Sequence, residues 1–538
     1  MTGPDLRNDK PCCFVNGTVR TQNDRQPSAE AVVTKSGRVA FVGSTADAIS
    51  FAGPSAKVHD LGRHLMVPGF IDNHTHFVWG GTHLLGIDLR GCRSTDEFRR
   101  SIGSYIARTR GGWVTGGNWD QEAWEIKRFP TREWIDDVSS DTPVFVQRLD
   151  GHMALANSVA LRMAGVTRDT PDPDGGFIER DLRTGEPTGI LKDSAMDLVT
   201  GLIPKQSSAE MQHAVLEAQA EAMKNGITSI HDITLPEHLD VYRKMESEGM
   251  LTCRIYTRLP ISGYGELVRQ GVRAGHGSNL LTTGSLKAFS DGSLGSGTAL
   301  FFDPYLDDPS NTGLAMEIVT NGDLRRWALD ADRNGLQLSI HAIGDRANHL
   351  VLSLFDEIVR TNAPWDRRFR IEHAQHVRAD DIPLFKKLGV IVSAQPYHAV
   401  DDGVWAEGRI GGERLKTTYA FRSFIDAGVT VCFGSDWTVA PLNALAGIHA
   451  AVTRSTLDGK NPGGWIPEQK LTVDQAVRCY TVNNAAAAFE ERTKGTIEVG
   501  KLADLAVLSE DIYSIDPSSI NRTRVDMTVF GGHILYQR

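Results

Sequence analysis

The segment Val67-Pro68-Gly69-Phe70-Ile71-Asp72-Asn73-His74-Thr75-His76 decides how this chain is read. Leu65–Asp72 is a short apolar run, the length of a buried strand, and two histidines follow it one residue apart. In extended chain the side chains at i and i+2 point to the same side. His74 and His76 therefore present two imidazoles to one point at the strand's C-terminal end, and two imidazoles can share one metal ion. Taken alone, the pair could equally be packed or exposed histidines, because His is intermediate in burial. What separates the readings is whether other strands end in the same way.

They do. Further apolar runs occur at Ile227–His231, Thr252–Leu259, Ser285–Phe289, Leu336–His341, Phe369–His373, Val390–Gln395 and Val429–Phe433. Amphipathic stretches such as Ser208–Lys224, Asn321–Asn334 and Asn348–Arg360 separate them. Strands alternating with helices predict an α/β fold, and eight such strands close into a (β/α)8 TIM barrel. Lys287 lies in the fourth run, His341 ends the fifth, His373 ends the sixth, and Asp436 follows the eighth. Catalytic groups in this fold come from the ends of several different strands. Taken singly, each is an ordinary capping or surface residue; recurrence at one structural place is the signal.

These residue types suit hydrolysis assisted by a divalent cation. Neutral imidazoles fit a borderline metal such as zinc. Two cations about 3.5–4 Å apart repel and need an anionic bridge. A carbamate formed from CO2 on Lys287 would provide one; the alternative is an ordinary barrel lysine neutralised by Asp291. The ligand count also allows one cation with Lys287 unmodified. Asp436 has two candidate duties, as a ligand and as the group that takes a proton from water and returns it to the leaving nitrogen. Metal-activated hydroxide would attack the carbonyl carbon. The bland alternative for Asp436 is a helix N-cap.

The ends of the chain read differently from its middle. Cys13–Val19, Ala31–Lys35 and Val39–Val42 near the start, and Leu505–Leu508 and Met527–Phe530 near the end, are short runs broken by Gly. We read residues 1–66 and 489–538 as one composite β-sandwich domain and 67–488 as the barrel. The gap between the first and second barrel strands is too long for a connection. Residues 90–200, with candidate strands at Trp113–Gly116 and Val144–Gln147, form an inserted α/β subdomain expected to cover the active site.

Bulk properties exclude several classes. The chain has 538 residues, 41% of them hydrophobic, enough for a large core. A formal charge of -10 with no basic run argues against nucleic acid and anionic membranes as partners. The six cysteines are scattered and none forms C-x-x-C, so reduced thiols and a cytoplasmic location are expected. No run reaches the ~18 apolar residues of a membrane span. No phosphate-binding loop is present, which removes nucleotide hydrolysis.

The same residues resemble the amidohydrolase superfamily, in particular the amidohydrolase-3 group that includes N-substituted formamide deformylases. The likeness runs over nearly the whole chain. It takes in the His74/His76 motif, Gly151-His152-Met153-Ala154-Leu155-Ala156-Asn157, and Lys287 with Asp291-Gly292-Ser293-Leu294-Gly295-Ser296. It continues through His341-Ala342-Ile343-Gly344-Asp345-Arg346-Ala347, Glu372-His373-Ala374-Gln375-His376, Gln395-Pro396-Tyr397-His398 and Gly434-Ser435-Asp436-Trp437. It ends at Gly495–Leu505, where the family's chain returns to its β-sandwich. By this resemblance His74, His76, Lys287, His341, His373 and Asp436 are metal-site residues, with Lys287 carbamylated. The chain departs from the family at Gly297, where Arg is common, and at Asp193, where Glu is.

His152 becomes a candidate catalytic residue that polarises a carbonyl or binds the leaving group, against a structural role. Trp79, Trp119, Trp124, Tyr397, Trp405 and Trp437 fall in segments expected at the barrel mouth. Of these Trp79, Trp119, Tyr397 and Trp437, with His398, are candidate substrate-binding residues, and an aromatic or alkyl-bearing small molecule would suit them. The bland reading is that the rings pack the insertion.

The expected reaction is hydrolysis of a linear amide, first an N-substituted formamide or N-acyl amine. A deaminase or cyclic-amide hydrolase on the same scaffold and a non-catalytic regulatory barrel are the alternatives. A homodimer is one assembly open to such an enzyme.

Overall fold

The computed structural model describes residues 10–109, 112–121, 124–149, 151, 153–173 and 176–538. His152 and the side chain of Asp193 lie outside the described residues. The chain divides into two compact units, one running to Phe77 and resuming over Gln219–Arg538, the other spanning Val78–Ala218.

All eight predicted runs form strands of one parallel sheet. In chain order they are β1 (Phe70–Thr75), β2 (Ile227–Ile233), β3 (Arg254–Pro260), β4 (Leu281–Phe289), β5 (Gln337–Ala342), β6 (Arg370–His373), β7 (Ile391–Ala394) and β8 (Val431–Phe433). The sheet closes where Thr75 pairs in parallel with Trp437. There the Asp436 amide donates to His74 O and the His76 amide to Trp437 O, both at 2.8 Å. The result is the (β/α)8 barrel.

The first apolar run is two strands, not one. Leu65–Pro68 belongs to the terminal sandwich, pairing with Thr18–Arg20 and Leu505–Leu508. The chain then turns at Gly69 into β1. A Cβ at Gly69 would collide with the Thr228 side chain, so the close approach of β2 requires glycine here. Because both halves of the run are fully buried, periodicity could not reveal the break.

The sandwich is built from both termini. One sheet orders Arg38–Gly43, Ala31–Lys35, Cys12–Val15 and Lys57–Asp60. The other orders His533–Gln537, Val525–Phe530, Leu505–Leu508, Leu65–Pro68, Thr18–Arg20 and Ser28–Ala29. Phe14, Val32 and Val39 of the first sheet meet Val19, Met66, Leu505, Val507 and Val529 of the second.

The second unit has a six-stranded sheet in the order Gly176–Arg180, Pro187–Asp193, Met153–Ala156, Phe145–Arg148, Gly116–Trp119 and Ile87–Asp88. Alternate residues face two separate cores. Val146, Leu155 and Ile190 join one, and Phe145, Ala154 and Leu191 the other. The candidate strand at Trp113–Gly116 is shifted: only Val114 makes a bridge, and the strand proper begins at Gly116.

Candidate metal centre

Three predicted ligands converge. One ligand atom each from His74, His373 and Asp436 lies within 4.8 Å of the other two. His76 joins them: its Nε2 is 3.2 Å from Asp436 Oδ1, and His74 Nε2 is 3.5 Å from the same oxygen. The His341 ring centroid is 4.5 Å from that of His373. Lys287, from β4, is 3% exposed and acts electrostatically on the rings of His74, His341 and His373.

Hydrogen bonds on the far side of each ring decide which nitrogen faces the centre. His74 Nδ1 is 2.5 Å from Glu372 Oε2, so its Nε2 keeps the lone pair. His373 Nδ1 is 2.8 Å from Gln395 Oε1, which again leaves Nε2. His341 reverses the pattern. Its Nε2 is 3.1 Å from the carbonyl oxygen of Gly292, and its buried Nδ1 has no hydrogen-bond partner. Burial, with Lys287 nearby, pushes the His74 and His341 pKa values down to about 3, so these rings are neutral near pH 7. Lone pairs that face one another across a few ångströms, with a carboxylate among them, suit a cation and little else. The residues present therefore fit a divalent metal.

Part of the chain's backbone strain falls here. His373 (φ 72°), Ala374 (φ 45°) and Asp436 (φ 57°) occupy the left-handed region without being glycine. Such conformations persist only where the surroundings enforce them, and they gather at functional sites. Asp72 supplies part of that enforcement. Its Oδ1 accepts the Ser435 amide at 2.9 Å and the His74 amide at 3.1 Å, tying the turn after β8 to β1. Asp291 does the same between the loops after β4 and β5, accepting from the amides of Leu300, Ile343 and Gly344. Burial raises the Asp291 carboxyl to about 7.

The remaining predicted residues divide. His398 is buried, its Nε2 has no partner, and it feels the charge of Asp436. Tyr397 sits on the same short helix, Pro396–Asp402, half-buried. Trp437 packs edge-on against Phe77 at the barrel seam, with 8% of it exposed. Trp79, 46% exposed, lies on the helix Phe77–Leu85. Trp119 corrects the expectation of a pocket ring. It is 0% exposed inside the core of the second unit, against Trp124, and its Nε1 donates to Val146 O at 2.9 Å. A satisfied, sealed indole has no face left for substrate. The sequence reading gave no role to Glu372, Gln395, Asp72, Arg258 or Arg370, all of which support the ligands from behind; their sequence signal is a polar residue in or next to a barrel strand and, for Glu372 and Gln395, a place in the motifs quoted above.

The chain belongs to the amidohydrolase family, whose signature it matches over residues 57–536. It is a metal-dependent hydrolase of that family, acting on C–N bonds. It is 36% identical to the protein LONG AFTER FAR-RED 3 of Arabidopsis thaliana, over 97% of this chain and 91% of that one. It is 28% identical to the N-substituted formamide deformylase of Arthrobacter pascens, over 98% of each chain. Among solved structures, an uncharacterized metal-dependent hydrolase from Pyrococcus horikoshii matches with a TM-score of 0.79 and 28% identity, over 94% of this chain and 99% of that one.

Proposed function

We propose that the protein hydrolyses a linear amide of a small molecule, with N-substituted formamides as the first substrate class, using zinc and a carbamate on Lys287. The observation that carries this reading is the convergence of His74, His373 and Asp436 lone pairs beside a buried lysine. Burial lowers the Lys287 pKa to about 7, so much of the amine is in the neutral form that can add CO2. A divalent cation held by these groups would polarise a carbonyl oxygen and lower the pKa of water toward ~7.

The chain's own groups supply the rest. The Asp436 carboxylate takes the proton from the attacking water and hands it to the leaving nitrogen. His398 offers a buried Nε2 with no partner to the substrate. Phe289, whose ring is 5.2 Å from that of His341, and Trp405 are part-exposed apolar surfaces that suit an aryl or alkyl substituent. Full-length similarity to a formamide deformylase supports the choice of a formyl group as the acyl part of the substrate.

The test is formate release by zinc-loaded protein from N-benzylformamide and formanilide, with N-acetyl analogues beside them. Turnover of the formamides supports the proposal. Metal-replete protein that cleaves none of them removes it.

A further inference from the structure

Beneath the ligand rim the barrel interior is polar where such barrels are commonly filled by branched aliphatic side chains. At its centre is Glu372, with no exposed surface. Its Oε2 lies 2.5 Å from His74 Nδ1 and accepts from Ser393 Oγ at 2.5 Å. Its Oε1 accepts from Ser339 Oγ at 2.7 Å, Arg258 Nη1 at 2.8 Å and Arg370 Nε at 3.0 Å. The five partners come from β1, β7, β5, β3 and β6.

Stability alone does not account for this cluster. Replacing a buried ion cluster by apolar residues of similar volume is often neutral or stabilising. Nor is Glu372 needed only to neutralise the arginines, because its Oε2 is turned away from both and toward His74. Oε2 already accepts the Ser393 hydroxyl and Oε1 takes two guanidinium donors, so Glu372 meets Nδ1 of His74 as an acceptor and that nitrogen carries the ring proton. The lone pair is then fixed on Nε2, on the side of Asp436.

We propose that Glu372 is a positioning residue for the metal centre, locking the tautomer and the aim of His74 so that cation affinity depends on a side chain that never touches the cation. The proposal rests on the divalent-metal reading of the site and not on the amide substrate. Outer partners of metal-bound histidines commonly govern affinity by about 10–100-fold.

The test uses the full chain and zinc alone. Glu372→Met keeps much of the volume and removes the acceptor that faces Nδ1 of His74. Glu372→Asp keeps the charge between Arg258 and Arg370 but draws the carboxylate back from His74. Zinc affinity is measured by competition with a chromophoric chelator, and the visible spectrum of the cobalt-substituted protein reports ligand geometry. Asp332→Asn is the control: Asp332 pairs with Arg367 at 2.8 Å in another buried cluster. The proposal expects folded Glu372 variants with zinc Kd about 10–100-fold weaker and shifted cobalt bands, and a destabilised Asp332 variant with unchanged Kd and bands. Folded Glu372 variants that bind zinc like the parent overturn it. So does failure of both to fold, which would make Glu372 a structural residue. Parent protein that binds no zinc would overturn the metal reading itself.

Discussion

Removing the Asp504 carboxylate should loosen the joint between sandwich and barrel by a calculable amount. Asp504 meets Arg254, at the start of β3, through two hydrogen bonds of 2.6 and 2.9 Å, with both side chains about 95% buried. The same carboxylate accepts the Gly531 amide at 2.9 Å, and the Asp504 carbonyl accepts the Gly69 amide at 2.9 Å, one residue before the strand that carries His74. In Asp504→Ala two charge-assisted bonds of about 1.5–3 kcal/mol each are lost. A buried guanidinium is left without its partner, for a total of about 3–5 kcal/mol. For a cooperative unit of about 400 residues, an unfolding entropy of about 2.1 cal/mol/K per residue gives about 0.8 kcal/mol/K, so Tm should fall by about 4–6 °C. Calorimetry of the metal-free protein measures it. Arg254→Met combined with Asp504→Leu replaces the pair by apolar groups and should recover most of the loss. The reasoning is refuted if Asp504→Ala costs under about 1 kcal/mol, or if the double variant is as unstable as the single one.

Three other outcomes follow from the site and its surroundings. Asp436→Asn should keep the fold and lower kcat/KM by about 10²–10⁴ on any amide the protein turns over; a loss under tenfold would remove Asp436 from proton transfer. Trp119→Ala should cost about 3–5 kcal/mol, localised by hydrogen exchange to the second unit; a raised KM with unchanged exchange would restore the pocket-ring reading. His376 is held at about 3 by burial and by Arg414, so its neutral form stabilises the fold above the unfolded value of 6.5, and that contribution is lost as pH falls toward about 3. His376→Leu should therefore lose less stability than the parent between pH 6.5 and pH 3, and parallel pH–Tm curves for the two would contradict this.

Much of the fold was legible because a parallel barrel writes each strand as a short buried run that ends at its functional residue. Ile371-Glu372-His373 and Leu338-Ser339-Ile340-His341 carry both signals in a few residues. Where two buried strands abut, as at Pro68-Gly69-Phe70, apolar character is continuous and the boundary disappears. His74, His373 and Asp436, which the structure brings together, stand out in the sequence by type and position. Their supports do not, because Arg258, Arg370 and Gln395 gain meaning only from the ring or carboxylate each meets across the barrel. Trp119 failed for a related reason: sequence locates a ring along the chain but not which surface covers it. Among the described residues no helix is long and apolar enough to cross a membrane.

The central claim is that groups scattered along the chain grip one cation. Zinc stoichiometry and X-ray absorption on reconstituted protein, beside His74→Ala, His373→Ala and Asp436→Ala, test it most directly. The account predicts at least one tightly held zinc, with nitrogen and oxygen neighbours at about 2.0–2.2 Å, and loss of that binding in each variant. Zinc held equally well by all three variants, or by none of the proteins including the parent, would contradict it.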